Sequence, residues 1–308
     1  MIRLGFAVRA VGRPELAAGH GRGRPPHLSR ALAGLGDMLV YLSQIGAHFY
    51  RAALDLAPGD AYAQLAACAP QADALAEQVV AAGLRLGVHL PLGLALGAPD
   101  EASAAEALTV VEATAALLER LDGGRPPTST MVAHLGASPA DPLGPARFAA
   151  RYMALSLRAR RRLAVEHEGA GPSLGALLAL HQRCGVPVVF DALHWEQHNP
   201  ERLPLALALG LALATWPPGA RAEVHLSTHR SEAHLLPGKA GAAPRVLPPR
   251  PGQHADFIAA GDLERLLRAA RGLAPFDLML EAKAGDLALL RLRAELARRA
   301  PELAATLG

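Results

Sequence analysis

VPVVFDALH, residues 186–194, is an apolar run that ends in an aspartate and, three positions later, a histidine. The run from Val186 to Phe190 has no polar face, so it reads as a strand buried on both sides, the signature of a parallel sheet covered by helices. The same design recurs along the chain. Strand patterns fall at IRLGFAV (2–8), HFYRAAL (48–54), RLGVHL (85–90), TMVAHLG (130–136), RLAVEHE (162–168), EVHLST (223–228) and FDLMLEAK (276–283). Helical periodicity follows each of them, over 29–46, 61–83, 103–121, 145–160, 173–184, 201–214, 256–271 and 286–300. Ser173 and Asp256 suit helix N-caps, and Gly83 and Gly185 suit helix stops. Eight β–α units of this kind predict a single (β/α)₈ TIM-barrel domain over residues 1–308. Pattern alone leaves a doubly wound open sheet as the alternative, but no GxGxxG or GxxxxGK[ST] phosphate loop supports it.

Bulk properties narrow the class. About half of the 308 residues are hydrophobic (51%), enough for one large core, and the net charge is only +3. That charge permits a nucleic-acid partner without requiring one. LPLALALGLALATW is too short to span a bilayer, and MIRLGFAVRAVGR too short in its apolar part for a signal peptide, so a soluble cytoplasmic protein is expected. Cys68 and Cys184 lack zinc-type spacing and read as small buried hydrophobes. Two long connections are basic: 9–30 carries Arg9, Arg13, Arg22, Arg24 and Arg30, and 229–253 carries Arg230, Lys239, Arg245 and Arg250. On a barrel both lie at the C-terminal face, where they suit an anionic substrate.

The polar residues near the strand ends are nearly all imidazole or carboxylate. They are His89, His134, Glu166, Asp191, His194, Glu223, His225, His254 and Glu281. Taken singly, each is an ordinary strand-end residue. Taken together, nine such groups converging on one barrel mouth would repel and be costly to desolvate, unless cations bind them. Imidazole with carboxylate and no thiolate suits manganese, zinc or iron, and the count suits two or three divalent ions.

At these residues the chain resembles the UV damage endonucleases, a family of metal-dependent DNA repair enzymes, and the resemblance implies a TIM barrel of the xylose isomerase-like, endonuclease IV-like type. The likeness runs through MIRLGF, HFYRAALDLAP, GVHLPLGLALGAPD, VAHLGA and LAVEHEG. It is strongest from VPVVFDALHWEQHNPERLPL through EVHLS, RPGQHADF and MLEAK. The resemblance implies that His89, His134, Glu166, Asp191, His194, His225, His254 and Glu281 ligate metal, manganese being usual. It also implies hydrolysis of a phosphodiester 5′ to damaged nucleotides in duplex DNA. Glu166, Glu281 and Lys283 are then the expected catalytic residues, and Arg9, Arg13, Arg22, Arg24, Arg230, Lys239 and Arg250 the expected DNA contacts. No obligate protein partner is indicated.

Several positions depart from the family pattern. The family's Gln and aromatic probes after the third-strand histidine are replaced by Leu92 and Gly93, which puts lesion recognition in question. A tyrosine and an asparagine near the N-terminus become Phe6 and Ala10, and Asp55 falls where some members have histidine. A lysine that is carboxylated in at least one branch becomes Glu223, which leads to the expectation that Glu223 itself ligates metal. Three other functions share the barrel-mouth chemistry: a metal-dependent sugar isomerase or epimerase, a multinuclear iron oxidase, and a non-catalytic damage-binding homologue.

Overall fold

The computed structural model describes residues 1–16, 25–238 and 243–308. Among the described residues there are ten strands: β1 (Arg3–Ala7), β2 (Phe49–Arg51), β3 (Arg85–His89), β4 (Thr130–Ala133), β5 (Leu163–Glu166), β6 (Val188–Asp191), β7 (Ala222–Leu226), β8 (His234–Leu236), β9 (Arg245–Leu247) and β10 (Phe276–Leu280). Eight of them close into a barrel in the order β1-β10-β7-β6-β5-β4-β3-β2, every pairing parallel. The fold is the α/β TIM barrel that the repeated pattern predicts. β8 and β9 form a separate antiparallel hairpin inside the long connection after β7.

Strand alternation sorts the barrel into an outside and an inside. Leu86, Val88, Met131, Val165, Phe190, Val224 and Leu278 face outward and are fully buried beneath the helices. Each such side chain contributes about 1.5–3 kcal/mol of burial. The inward positions form layers. Arg3, Arg85, Thr130, Glu223 and Asp277 lie near the strand starts; Phe49, Val132, Ala164, Val189 and Met279 lie above them; the other imidazoles and carboxylates lie at the strand ends. Phe49 fills the middle of the barrel because Gly5 opposite carries no side chain. A Cβ there would come within 2.7 Å of the Phe49 ring.

Several expected boundaries shift, each for a local reason. The helix expected over 61–83 is two, Ala61–Ala67 and Ala69–Ala81, broken at Cys68 because Pro70 in the first turn of the second cannot continue the first. The helix expected over 145–160 also divides, into Gly144–Ala154 and Leu157–Arg160, since Leu155 is extended and Ser156 caps a new helix through Ala159 N at 3.2 Å. Ser173 caps its helix as expected, and Gly185 ends it at φ 78°. Asp256 is not a cap. Its carbonyl accepts from Ala284 N at 2.9 Å, which holds it in the loop, and the helix starts at Ala260. The next shift touches the site. The strand expected over 186–194 stops at Asp191, because that carboxylate accepts from His194 N at 2.7 Å and caps a helix, Ala192–Gln197. The helix expected over 201–214 begins only at Leu205, after Pro204.

Candidate metal centre

Glu166, the last residue of β5, is the hub of the barrel mouth. Its side chain is buried, with Oε1 2.9 Å from His225 Nδ1 and Oε2 3.1 Å from His89 Nε2. Two groups of donor atoms, each within 4.8 Å of one another, share it. His89, His134 and Glu166 form one, and Glu166, Asp191, His225 and Glu281 the other. The parallel register explains the convergence: β6 and β7 set Asp191 opposite His225, and the β7–β10 pairing leaves Glu281 one step beyond the strand, its N–H bonded to Leu226 O.

The hydrogen bonds aim most imidazoles. His89 donates Nδ1–H to Leu90 O at 2.8 Å, which directs Nε2 at Glu166. His134 places Nδ1 3.4 Å from Glu168 Oε1 and Nε2 3.8 Å from Glu166. His194 donates Nδ1–H to His167 O at 2.8 Å, leaving Nε2 open. His254 stands at the rim, with Nδ1 3.9 Å from Glu281. Gly136 closes the turn after His134 at φ 65°, where a Cβ would come within 2.0 Å of Leu94 O.

Electrostatics mark the same place. Burial acts to raise the Glu166 pKa, but His225 and His89 outweigh it and hold the carboxyl well below its usual range. Burial acts to lower the His225 pKa, but Glu166 and Glu281 push it up to about 10. Burial lifts the Asp191 carboxyl, and its Oδ2 is buried without a hydrogen-bond partner. A carboxylate oxygen turned inward with nothing to accept from, beside oxygen and imidazole donors and no thiolate, fits a divalent cation. These residues therefore suit such a group.

Glu223 sits elsewhere. It is the second residue of β7, two positions below His225, and belongs to neither donor group. Its Oε1 lies 3.1 Å from His225 Nε2, and its two oxygens lie 3.6 Å from Arg51 and 3.6 Å from Arg85. A carboxylate against the far nitrogen of His225 fixes the orientation of that ring. The two arginines hold it in the lower layer.

The other expected residues spread around the rim. Lys283 is exposed, two residues past Glu281. Arg9 and Arg250 are exposed. Arg13 pairs with Glu15 and lies over the Tyr41 ring at 5.6 Å, and Arg230 is buried with Nε donating to Glu232 O at 2.9 Å. Arg230 is thereby tied into its own loop. Arg22, Arg24 and Lys239 lie outside the described residues. Phe6 is fully buried with its ring 5.3 Å from that of Tyr50, Ala10 is buried, and Leu92 is 75% exposed.

Arg51 and His167 belong to the site but were not singled out from sequence. Arg51 ends β2 with Nη1 bonded to Glu281 and Nη2 2.6 Å from His225 Nε2. The available signal was an arginine inside the apolar run HFYRAAL. His167 follows Glu166 and points the other way. It accepts from Asp191 N at 3.1 Å and, with its pKa pushed down to about 3 by burial, stays neutral while tying β5 to β6.

Comparisons with known proteins agree with this geometry. Residues 29–303 match the family described as UV-endonuclease UvdE. A UV DNA damage endonuclease of Bacillus velezensis is 28% identical over 139 residues, a match spanning 44% of this chain and only 38% of that relative. Among solved structures, SacUVDE superposes with a TM-score of 0.76 at 20% identity, covering 97% of this chain and 99% of that one. An L-ribulose 3-epimerase shares the fold at a TM-score of 0.58 and 17% identity, over 96% of this chain and 86% of that chain. A D-psicose 3-epimerase of Clostridium cellulolyticum does so at 0.57 and 12%, over 91% and 85%. Among the described residues no helix is long and apolar enough to cross a membrane. The match over most of its length assigns the chain to the UV-endonuclease UvdE family.

Proposed function

We propose that this chain is a metal-dependent endonuclease that hydrolyses a phosphodiester 5′ to damaged nucleotides in duplex DNA, with altered lesion recognition. The observation that carries the reading is the sharing of one buried carboxylate, Glu166, by two adjoining donor groups at the C-terminal mouth of the barrel. When bound, divalent ions, manganese foremost, would activate water as the nucleophile at neutral pH and offset negative charge at the phosphate. His89, His134 and Glu166 would hold one, and Glu166, Asp191, His225 and Glu281 a second, with His194 beside Glu166 and Asp191 and His254 beside Glu281. Glu223 orients His225. Arg51 balances the Glu281 and Glu223 charges from below. In this reading the exposed Lys283, Arg9 and Arg250 contact DNA phosphates, which position a duplex without reading its sequence.

Leu92 and Gly93 offer neither a polar probe nor a stacking ring, which favours a changed lesion range with the hydrolytic centre retained. Trp195 does not replace them, since its Nε1–H is bonded to Leu203 O at 3.1 Å and its ring packs near Phe190. The test is incubation of manganese-, zinc- or iron-loaded protein with end-labelled duplexes carrying a UV photoproduct, an abasic site or no damage. Metal-dependent nicking 5′ to a lesion supports the reading. Nicking of none of the duplexes with any of the metals rejects it.

A further inference from the structure

The opposite end of the barrel holds a cavity of about 430 Å³ lined by Arg3, Arg85, Arg160, Arg161, Arg162 and Arg221, with no carboxylate in its wall. The N-terminal face of a TIM barrel ordinarily serves stability, and part of this cluster does. Asp277, fully buried, accepts from Arg3 at 2.8 and 3.0 Å, from Arg85 at 2.8 Å, and from Arg221. Asp122 takes Arg162 at 2.7 Å. Arg85 also reaches Glu223 at 3.6 Å. One aspartate serves three guanidiniums, and among the described residues no acid lies within ion-pair range of Arg160 or Arg161.

Two buried nitrogens strengthen the point. Arg85 is 1% exposed, and its Nε has no hydrogen-bond partner; neither does the buried Nε of Arg160. Two buried guanidinium N–H donors without acceptors, beside the half-buried Arg160 and the exposed Arg161 that have no acid in range, leave charge-assisted bonds unmade. Planar guanidiniums match the tetrahedral oxygens of phosphate, and the lining adds apolar surface from Trp216 and Pro187. We propose that this cavity is a second ligand site, distinct from the metal centre, which binds a phosphate-bearing small molecule.

The test is calorimetric titration of the metal-loaded chain with inorganic phosphate and with pyrophosphate. The comparison variants are Arg160→Ala/Arg161→Ala and Glu166→Gln. Arg85 is left intact, because it also supports Glu223. Saturable binding that weakens about tenfold or more in the double arginine variant, and persists in Glu166→Gln, is the expected result. The proposal is overturned by any of three outcomes: no saturable binding in the parent chain, equal affinity in the double arginine variant, or binding lost only in Glu166→Gln, which would place phosphate at the metals. A short undamaged DNA duplex is the final arm. If it competes for the arginine-dependent site, the cavity belongs to a nucleic-acid surface and the small-molecule assignment fails.

Discussion

Glu166→Gln should weaken metal binding in both donor groups at once. The substitution keeps the size of the side chain and one ligating oxygen, but removes a unit of negative charge from a carboxylate with one oxygen 2.9 Å from His225 and the other 3.1 Å from His89. Unit charges about 4 Å apart interact by about 4 kcal/mol at an effective dielectric of about 20. Allowing for the amide oxygen that still reaches the site, the loss is about 3 kcal/mol per ion, or about two orders of magnitude in affinity. The assay is metal content per chain by elemental mass spectrometry after dialysis against a graded chelator. His134→Ala and Asp191→Asn serve as controls, each confined to one group. The parent should lose metal in late steps, each control should lose one portion early, and Glu166→Gln should lose both together. Metal-induced gains in melting temperature should follow the same order, since a ligand stabilises only the state that binds it. If Glu166→Gln sheds only one portion, or keeps both, Glu166 is not the shared ligand and the two-group description fails.

Three further outcomes follow from the neighbouring residues. Glu223→Gln should reduce metal affinity by about tenfold, the low end of the range for loss of a group that orients a ligand, and so less than the roughly hundredfold loss in Glu166→Gln; an equal or larger loss would make Glu223 a ligand after all. Asp277→Asn should destabilise the fold by about 3 kcal/mol in urea titrations, because three arginines lose a buried partner; two of these are partly exposed, which limits the cost. Burial opposes ionisation of Asp277, but Arg85 and Arg3 hold its pKa below normal, so its contribution is complete at neutral pH and fades as pH falls from the unfolded value near about 4 through the folded one. The acid limb of the stability profile should therefore flatten in Asp277→Asn, and an unchanged limb would refute the pairing. Leu92→Gln/Gly93→Tyr, at exposed positions, should raise the ratio of nicking at damaged over undamaged duplex with little change in metal content; a ratio that stays constant would show that lesion choice resides elsewhere.

The barrel was legible because its strands lack a polar face and recur with helices between them, a pattern with few packing solutions. The donors were legible for a related reason: imidazole and carboxylate beside apolar runs are costly to bury unless something binds them. Depth along a strand was harder to read. Glu223 and His225 share a face of β7, and only the register with β10, which pairs Glu223 with Asp277, places Glu223 in the lower layer. Asp191 shows a second limit, since its capping bond to His194 N turns the chain into a helix where apolar content alone extends the strand. Arg51 and Arg85 were passed over because an arginine in a strand carries no sign of its partners. Those partners, Glu281, Glu223 and Asp277, come from strands more than 130 residues away.

The most direct test of the account is anomalous diffraction at the manganese edge from crystals grown with the metal. It should show one peak among His89, His134 and Glu166 and another among Glu166, Asp191, His225 and Glu281, with the Glu166 carboxylate between them. Absence of peaks at the barrel mouth, or peaks only at sites that leave Glu166 unligated, would contradict it.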